Sequence, residues 1–287
     1  MNREVKIPVL YRDEMIARVS SVSQSPFKPE LFINSIKDDK RFIIKSFEPF
    51  NKEDFMLAHT KEYVDGFFNG DEKYISSINI KWTKQYAKSV KYTNASLYEA
   101  IKTSIKSGLA ISPVSGFHHA TPKTGYDFCA FSGQVIASLK LYKEQGLKGC
   151  YIDLDAHHGN SIEDTYRFAP DLIKAIPKKL NINISGFDEK QYMMDLDKKL
   201  NIVYNALLNG EIHYVVLCHG ADSIIGDELE CGMLSPEAWV KTTDIISDAL
   251  SGFPQTYCLF GGYRKNLQEI IDFHIKAIDK IYLNFKQ

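Results

Sequence analysis

Four short apolar runs constrain the fold of this chain more than anything else in it. They lie at 109–114, 149–154, 213–218 and 256–260, with helix-length amphipathic segments between them. Runs of four to eight residues bounded by polar turns read as buried strands. Strands that alternate with helices of this length require crossover connections, hence a mostly parallel sheet with helices on both faces. The expected fold is therefore a three-layer α/β/α arrangement. Parallel strands place all their carboxyl ends on one rim of the sheet, where ligands bind in open α/β folds.

The intervening helices are legible from their spacing. A helix from Asn94 to Lys106 would bury Leu97, Ile101 and Ile105 and stop at Gly108. Others are expected over 133–143, 188–208 and 266–283, and Ser235-Pro236 reads as a helix start with serine as N-cap and proline at N1. Residues 1–92 are less regular. Pro8 to Tyr11 reads as an opening strand, and Asn51 to Phe68 as one or two helices. No composition break, repeat or Gly/Ser linker interrupts the chain, so residues 1–287 are expected to form one domain.

Composition narrows the function classes. A net charge of −1 gives no global field to recruit nucleic acid or an anionic membrane. No apolar run approaches the ~18–20 residues that span a bilayer. The opening Met1-Asn-Arg-Glu-Val-Lys6 lacks an apolar segment, so no secretory signal is expected. The five cysteines show no C-x-x-C spacing, and reduced core thiols in a cytoplasmic protein are the expectation.

The strand ends carry the chemistry. The run at 149–154 breaks into Asp153-Leu-Asp155-Ala-His157-His158. Side chains alternate along a strand, so Asp153 and Asp155 share a side, and His157 joins them if strand geometry persists. Carboxylate plus imidazole is a ligand set for zinc or another divalent ion. The strand ending at 218 is followed by Asp222, the first run by His118-His119, and the last by Gly261-Gly262-Tyr263. Asp155, His157 and Asp222 can converge on one ion with a position left open, the pattern of a catalytic rather than a structural site.

This constellation resembles the histone deacetylase superfamily. Ser115-Gly-Phe-His-His-Ala120 is similar to its G-G-x-H-H-A segment, Asp127-Phe-Cys129 to G-F-C, and Tyr151 to Asn160 to D-x-D-x-H-H-G-[DN]. Gly220-Ala-Asp222 with Gly226-Asp227 and Gly232-Met-Leu-Ser235 is similar to G-A-D…G-D…G-x-L-S, and Gly261-Gly-Tyr263 to G-G-Y. His59 to Val64 is a weaker match to an N-terminal H-x-x-x-Y-V/L helix, and some wording leans toward the class IV branch. The resemblance implies a zinc-dependent hydrolase of N-acyl amides on lysine-like or polyamine substrates. It implies one Zn²⁺ per chain on Asp155, His157 and Asp222, with potassium near the Asp153 to His157 backbone. It implies His118 and His119 as the base and acid pair, Asp153 and Asn160 as their orienting partners, and Tyr263 as donor to the developing oxyanion. Phe128 would wall a narrow acyl channel, with Leu229 and Phe187 as further candidates.

The sequence departs from the pattern in places. Asp127 replaces a glycine before Phe128, Asn160 replaces an aspartate found in some branches, and Ser161 replaces a glycine. Two other readings compete. An arginase- or agmatinase-like ureohydrolase would hold two Mn²⁺ and need more carboxylates, but Gly159 stands where its next aspartate would fall, and Asp227 follows Asp222 by five residues instead of two. A non-catalytic acyl-lysine-binding module would have lost Tyr263, a ligand or the histidine pair, and all are present. Acyl length and oligomeric state are left open.

Overall fold

A computed structural model describes residues 6–229 and 231–285. The opening segment judged for a secretory signal lies mostly outside them. Seven strands form one sheet: β1 (Ile7–Leu10), β2 (Phe42–Lys45), β3 (Leu109–Ser112), β4 (Gly149–Asp153), β5 (Asn181–Asn183), β6 (Tyr214–Gly220) and β7 (Gln255–Phe260). Their order is β2-β1-β3-β7-β6-β4-β5, and every pairing is parallel. Every residue of the central strands β6 and β7 is buried, as a sheet covered on both faces demands.

The helices are α1 (Lys28–Ile36), α2 (Lys52–Phe55), α3 (Lys61–Asn69), α4 (Glu72–Ile75), α5 (Lys84–Ser107), α6 (Gly133–Gln145), α7 (Ser161–Thr165), α8 (Leu172–Ala175), α9 (Glu189–Leu208), α10 (Pro236–Ala249) and α11 (Leu267–Phe285). One layer packs α1, α9, α10 and α11 side by side; the other packs α5, α6 and α8. The three-layer α/β/α fold is thus as expected, with the sheet wholly parallel.

Several boundaries differ from the sequence reading, for identifiable reasons. Helix α5 begins ten residues earlier than Asn94, where Thr83 accepts a hydrogen bond from the Tyr86 amide (3.0 Å) as N-cap. Its first turns carry lysines among the buried Tyr86, Ala87 and Val90, which blurs the apolar stripe. Strands β2 and β5 were not foreseen. Both lie at sheet edges with one neighbour each, so neither needs an apolar run. Ser235 does cap α10, accepting from the Ala238 amide at 3.2 Å, and Gly146 closes α6 at φ 68°.

All five cysteines are free, and Cys231 alone among them is exposed. No helix among the described residues is long and apolar enough to cross a membrane.

Candidate active site

The carboxyl ends of β3, β4, β6 and β7 meet on one rim, and the register fixes their spacing: Asp153 pairs with Cys218, and Gly220 with Phe260. Strand geometry does not persist to His157. Strand β4 ends at Asp153, whose Oδ1 accepts from the Asp155 amide (3.1 Å); Asp155 Oδ1 in turn accepts from the His157 amide (3.0 Å). Two successive aspartate-capped turns, and not pleating, bring His157 round. Its Nδ1 then lies 2.8 Å from Asp222 Oδ2 and 3.3 Å from Asp155 Oδ1. Asp222 sits in a short 3-10 turn after β6, and its Oδ1 also accepts from the Ala156 amide at 3.2 Å.

One ligand atom from each of Asp155, His157 and Asp222 falls within 4.8 Å of the others. Both carboxylates are buried, and the imidazole is half-buried. Burial alone would raise Asp155, but the His118 charge and hydrogen bonds from its neighbours hold it well below the usual carboxylate range. The cost falls on Asp222, which burial and then the Asp155 charge push up to about 7. Hydrogen bonds to both aspartates push His157 up to about 11. Two buried carboxylates this close retain a proton unless a cation joins them. The donor set and its charge therefore fit a divalent ion.

The backbone beside this cluster must be glycine. A Cβ on Gly261 would lie 2.3 Å from Asp222 Oδ1 and 2.5 Å from Asp155 Oδ2. No side chain fits there.

His118 and His119 lie beside the cluster. His118 Nδ1 is 3.0 Å from Asp153 Oδ2, and its Nε2 is 3.9 Å from Asp155 Oδ1. Burial pulls its pKa down, yet Asp155 and Asp153 outweigh burial and lift it to about 9. Asp153 is itself raised by burial; in this tightly coupled pair the proton belongs on the imidazole, which faces two carboxylates. His119 Nδ1 is 3.0 Å from Asn160 Oδ1, while Asn160 Nδ2 donates to Asp164 Oδ2 at 2.6 Å. That second bond fixes the amide, so His119 carries its hydrogen on Nδ1 and leaves Nε2 as an acceptor. Burial and the neighbouring His118 push His119 down to about 4.

The Tyr263 ring stands 6.4 Å from the His157 ring and 5.6 Å from that of Phe128. Its amide donates to Asp227 Oδ2 at 2.7 Å. Burial first, then the Asp155 and Asp222 charges, hold its hydroxyl far above the ordinary phenol range, so it remains a donor.

The three channel candidates stand in different settings. Phe128 packs beside Tyr263, on a backbone with positive φ at both Asp127 (35°) and Phe128 (66°). Leu229 is half-buried, its amide on Asp227 Oδ1. Phe187 points into solvent at 96% exposure, because its loop turns at Gly186 against the Tyr192 backbone. On that side, a cavity of about 120 Å³ beside Asp155 is lined by Ser185, Gly186, Tyr192 and Met233. Of the remaining histidines, His59, His213, His219 and His274 bond within the scaffold, and His158 is exposed beside the rim.

Sequence reasoning missed Lys28. It is buried at the start of α1, with its Nζ on the backbone behind Tyr263. The segment Pro26-Phe-Lys-Pro29 resembles any loop entering a helix and gives no sign of this.

Sheet, rim and donor set define a three-layer domain of the arginase/deacetylase type. A family model described as histone deacetylase domain matches residues 19–176. An uncharacterized protein of Picosynechococcus sp. is 22% identical over 237 residues, covering 76% of this chain and 78% of that protein. Histone deacetylase 2 of Arabidopsis thaliana is 25% identical over 201 residues, or 63% of this chain and 51% of its own length. Probable histone deacetylase 19 of Zea mays is 27% identical over 169 residues, only 32% of its own length. The crystal structure of the HDA15 HD domain shares the fold at TM-score 0.75 and 17% identity, over 98% of this chain and 90% of that one. The chain belongs to the histone deacetylase domain family.

Proposed function

We propose that this chain, as one domain, is a zinc-dependent amide hydrolase that cleaves N-acyl amines of the lysine or polyamine type into a carboxylate and a free amine. The carrying observation is that Asp155, His157 and Asp222 offer ligand atoms within 4.8 Å of one another beside two differently partnered histidines. Those three residues would hold the ion. When bound, zinc polarises an amide carbonyl and lowers the pKa of water toward ~7.

The other residues have separable tasks. His119, with Nδ1 committed to Asn160, takes a proton from water at Nε2. His118, kept protonated by Asp155 and Asp153, supplies a proton to the departing amine nitrogen as the C–N bond breaks. Tyr263 donates its hydroxyl to the carbonyl oxygen as negative charge grows there. Phe128 lies along the acyl chain's approach. By family resemblance, potassium would sit near the Asp153 to His157 backbone.

One ion suits the site better than two. Asp227, the acid a binuclear ureohydrolase would need, is engaged by the Tyr263 and Leu229 amides. The test is a panel of acetyl- and longer acyl-amines assayed on zinc-loaded protein for release of both products. Wild type should hydrolyse at least one substrate, and Tyr263→Phe and His119→Ala should lose about 10² or more in kcat. An inert wild type, or variants equal to it, would refute the assignment.

A further inference from the structure

Lys28 is 1% exposed, and no carboxylate lies within ion-pairing distance of it among the described residues. A lysine seldom accepts such burial without a specific use for its N–H groups. Its Nζ donates to Phe260 O (2.8 Å), Gly261 O (2.5 Å) and, more weakly, Ser115 Oγ (3.4 Å). Two consecutive carbonyls thus turn toward one amine at the end of β7. The chain then reverses at Gly262 (φ 108°) and places Tyr263, whose amide is held from the other side by Asp227. The clamped Gly261 also abuts Asp222 and Asp155, where a Cβ would not fit. Ser115 ties the amine to the turn that leads into His118. Two strand-end segments of the candidate site, those after β3 and β7, therefore meet on a side chain from α1.

We infer that Lys28 is a positioning residue: by holding the Phe260 and Gly261 carbonyls it sets the Gly261-Gly262-Tyr263 loop so that the Tyr263 hydroxyl faces the ligand cluster. This rests on the role assigned to Tyr263 above. A bare stabilising role would make Lys28 matter equally to the whole fold. A positioning role makes it matter to this loop and to the step that uses Tyr263.

Two readouts on the zinc-loaded 287-residue chain separate these. In hydrogen exchange, Lys28→Met should speed the amides of residues 261–264 at least about tenfold relative to those of β4 and α11. In kinetics, Lys28→Met should lower kcat about 10- to 100-fold with KM within about threefold, and Lys28→Met with Tyr263→Phe should be no slower than Tyr263→Phe alone. Uniform acceleration of exchange, or additive kinetic losses, would overturn the inference. If wild type hydrolyses nothing on the panel, the hydrolase reading fails while the exchange measurement still decides the role of Lys28. Should Lys28→Met not fold, Lys28→Gln retains donors on a shorter stem. Its loop should exchange at a rate above wild type, and equal rates would refute the clamp.

Discussion

The rings of His118 and His119 lie 4.0 Å apart, centroid to centroid, yet one faces a carboxylate and the other an amide. Adjacent imidazoles repel each other's protons, and the unequal partners decide which one keeps its proton. Asp153 and Asp155 favour His118, and Asn160 offers His119 a neutral acceptor. Asn160→Asp should erode that asymmetry by raising the proton affinity of His119. The acidic limb of kcat/KM should then move to higher pH by about one unit or more. An unmoved limb in a pH–rate profile would show that His119 is not the proton acceptor.

The same pair shapes the pH dependence of metal-free stability. His118 is raised in the folded state to about 9, so its contribution is full below the ordinary histidine range near ~6.5 and is lost as pH rises through about 9. At most it amounts to about 3 kcal/mol. His119, His59 and His219 are lowered by burial to about 4, 3 and 3, and His274 is lowered likewise. Their contribution is present above ~6.5 and lost as pH falls, because the unfolded chain takes up protons first. In the metal-free protein Asp222, raised to about 7, and His157, raised to about 11, also lose stability as pH rises. In urea denaturation of chelator-treated protein, His118→Gln should therefore lessen, without abolishing, the fall in stability between pH ~6.5 and about 9; an unchanged fall would show that His118 is not held protonated.

Of the three proposed ligands, Asp222 has most to gain from a cation. Asp222→Asn removes one of two buried like charges while keeping an oxygen for the Ala156 amide. The variant should bind well under one zinc per chain, where wild type binds about one. Without metal it should melt at or above the wild-type temperature, because the Asp155–Asp222 repulsion is relieved. The sign of this last change separates a metal ligand from a structural acid: loss of a structural hydrogen bond would lower the melting temperature. Elemental analysis and calorimetry supply both measurements.

What the sequence revealed depended on how many neighbours each element has. Strands β3, β4, β6 and β7 are flanked on both sides, must be apolar along their length, and were legible as runs; β1 was read from Pro8 to Tyr11. Edge strands β2 and β5 hydrogen-bond on one side only: Phe-Ile-Ile-Lys offers just three apolar residues in a row, shorter than the other runs, and Asn-Ile-Asn offers one. Residues at strand ends were equally accessible to reading, because parallel strands bring any such residues to one rim. Phe187 was harder to place, since nothing in Ser185-Gly-Phe187 reveals that the loop directs its ring outward. Lys28 was harder still: its partners are backbone carbonyls more than two hundred residues away.

Asp127 and Phe128 form a strained corner beside Tyr263. Positive φ at two successive non-glycine residues is uncommon and typically costs on the order of 1 kcal/mol or more each. The corner is held by Asp127 and Phe128 amides donating to Ser77 O (3.2 Å) and Ile78 O (2.8 Å), and by Asn79 Nδ2 donating to Asp127 Oδ1 (3.1 Å). Asp127→Gly relieves the backbone at the first position, against about 0.5–1 kcal/mol of added unfolded-state entropy. It also frees Phe128 to leave its place beside Tyr263. The expected variant is no less stable than wild type and up to about 1 kcal/mol more so, with KM for the best acyl substrate raised several-fold and kcat within about twofold. Thermal melts and steady-state kinetics on one preparation decide the matter. A clear loss of stability would show that the Asn79 contact outweighs the backbone strain. An unchanged KM would remove Phe128 from the acyl path.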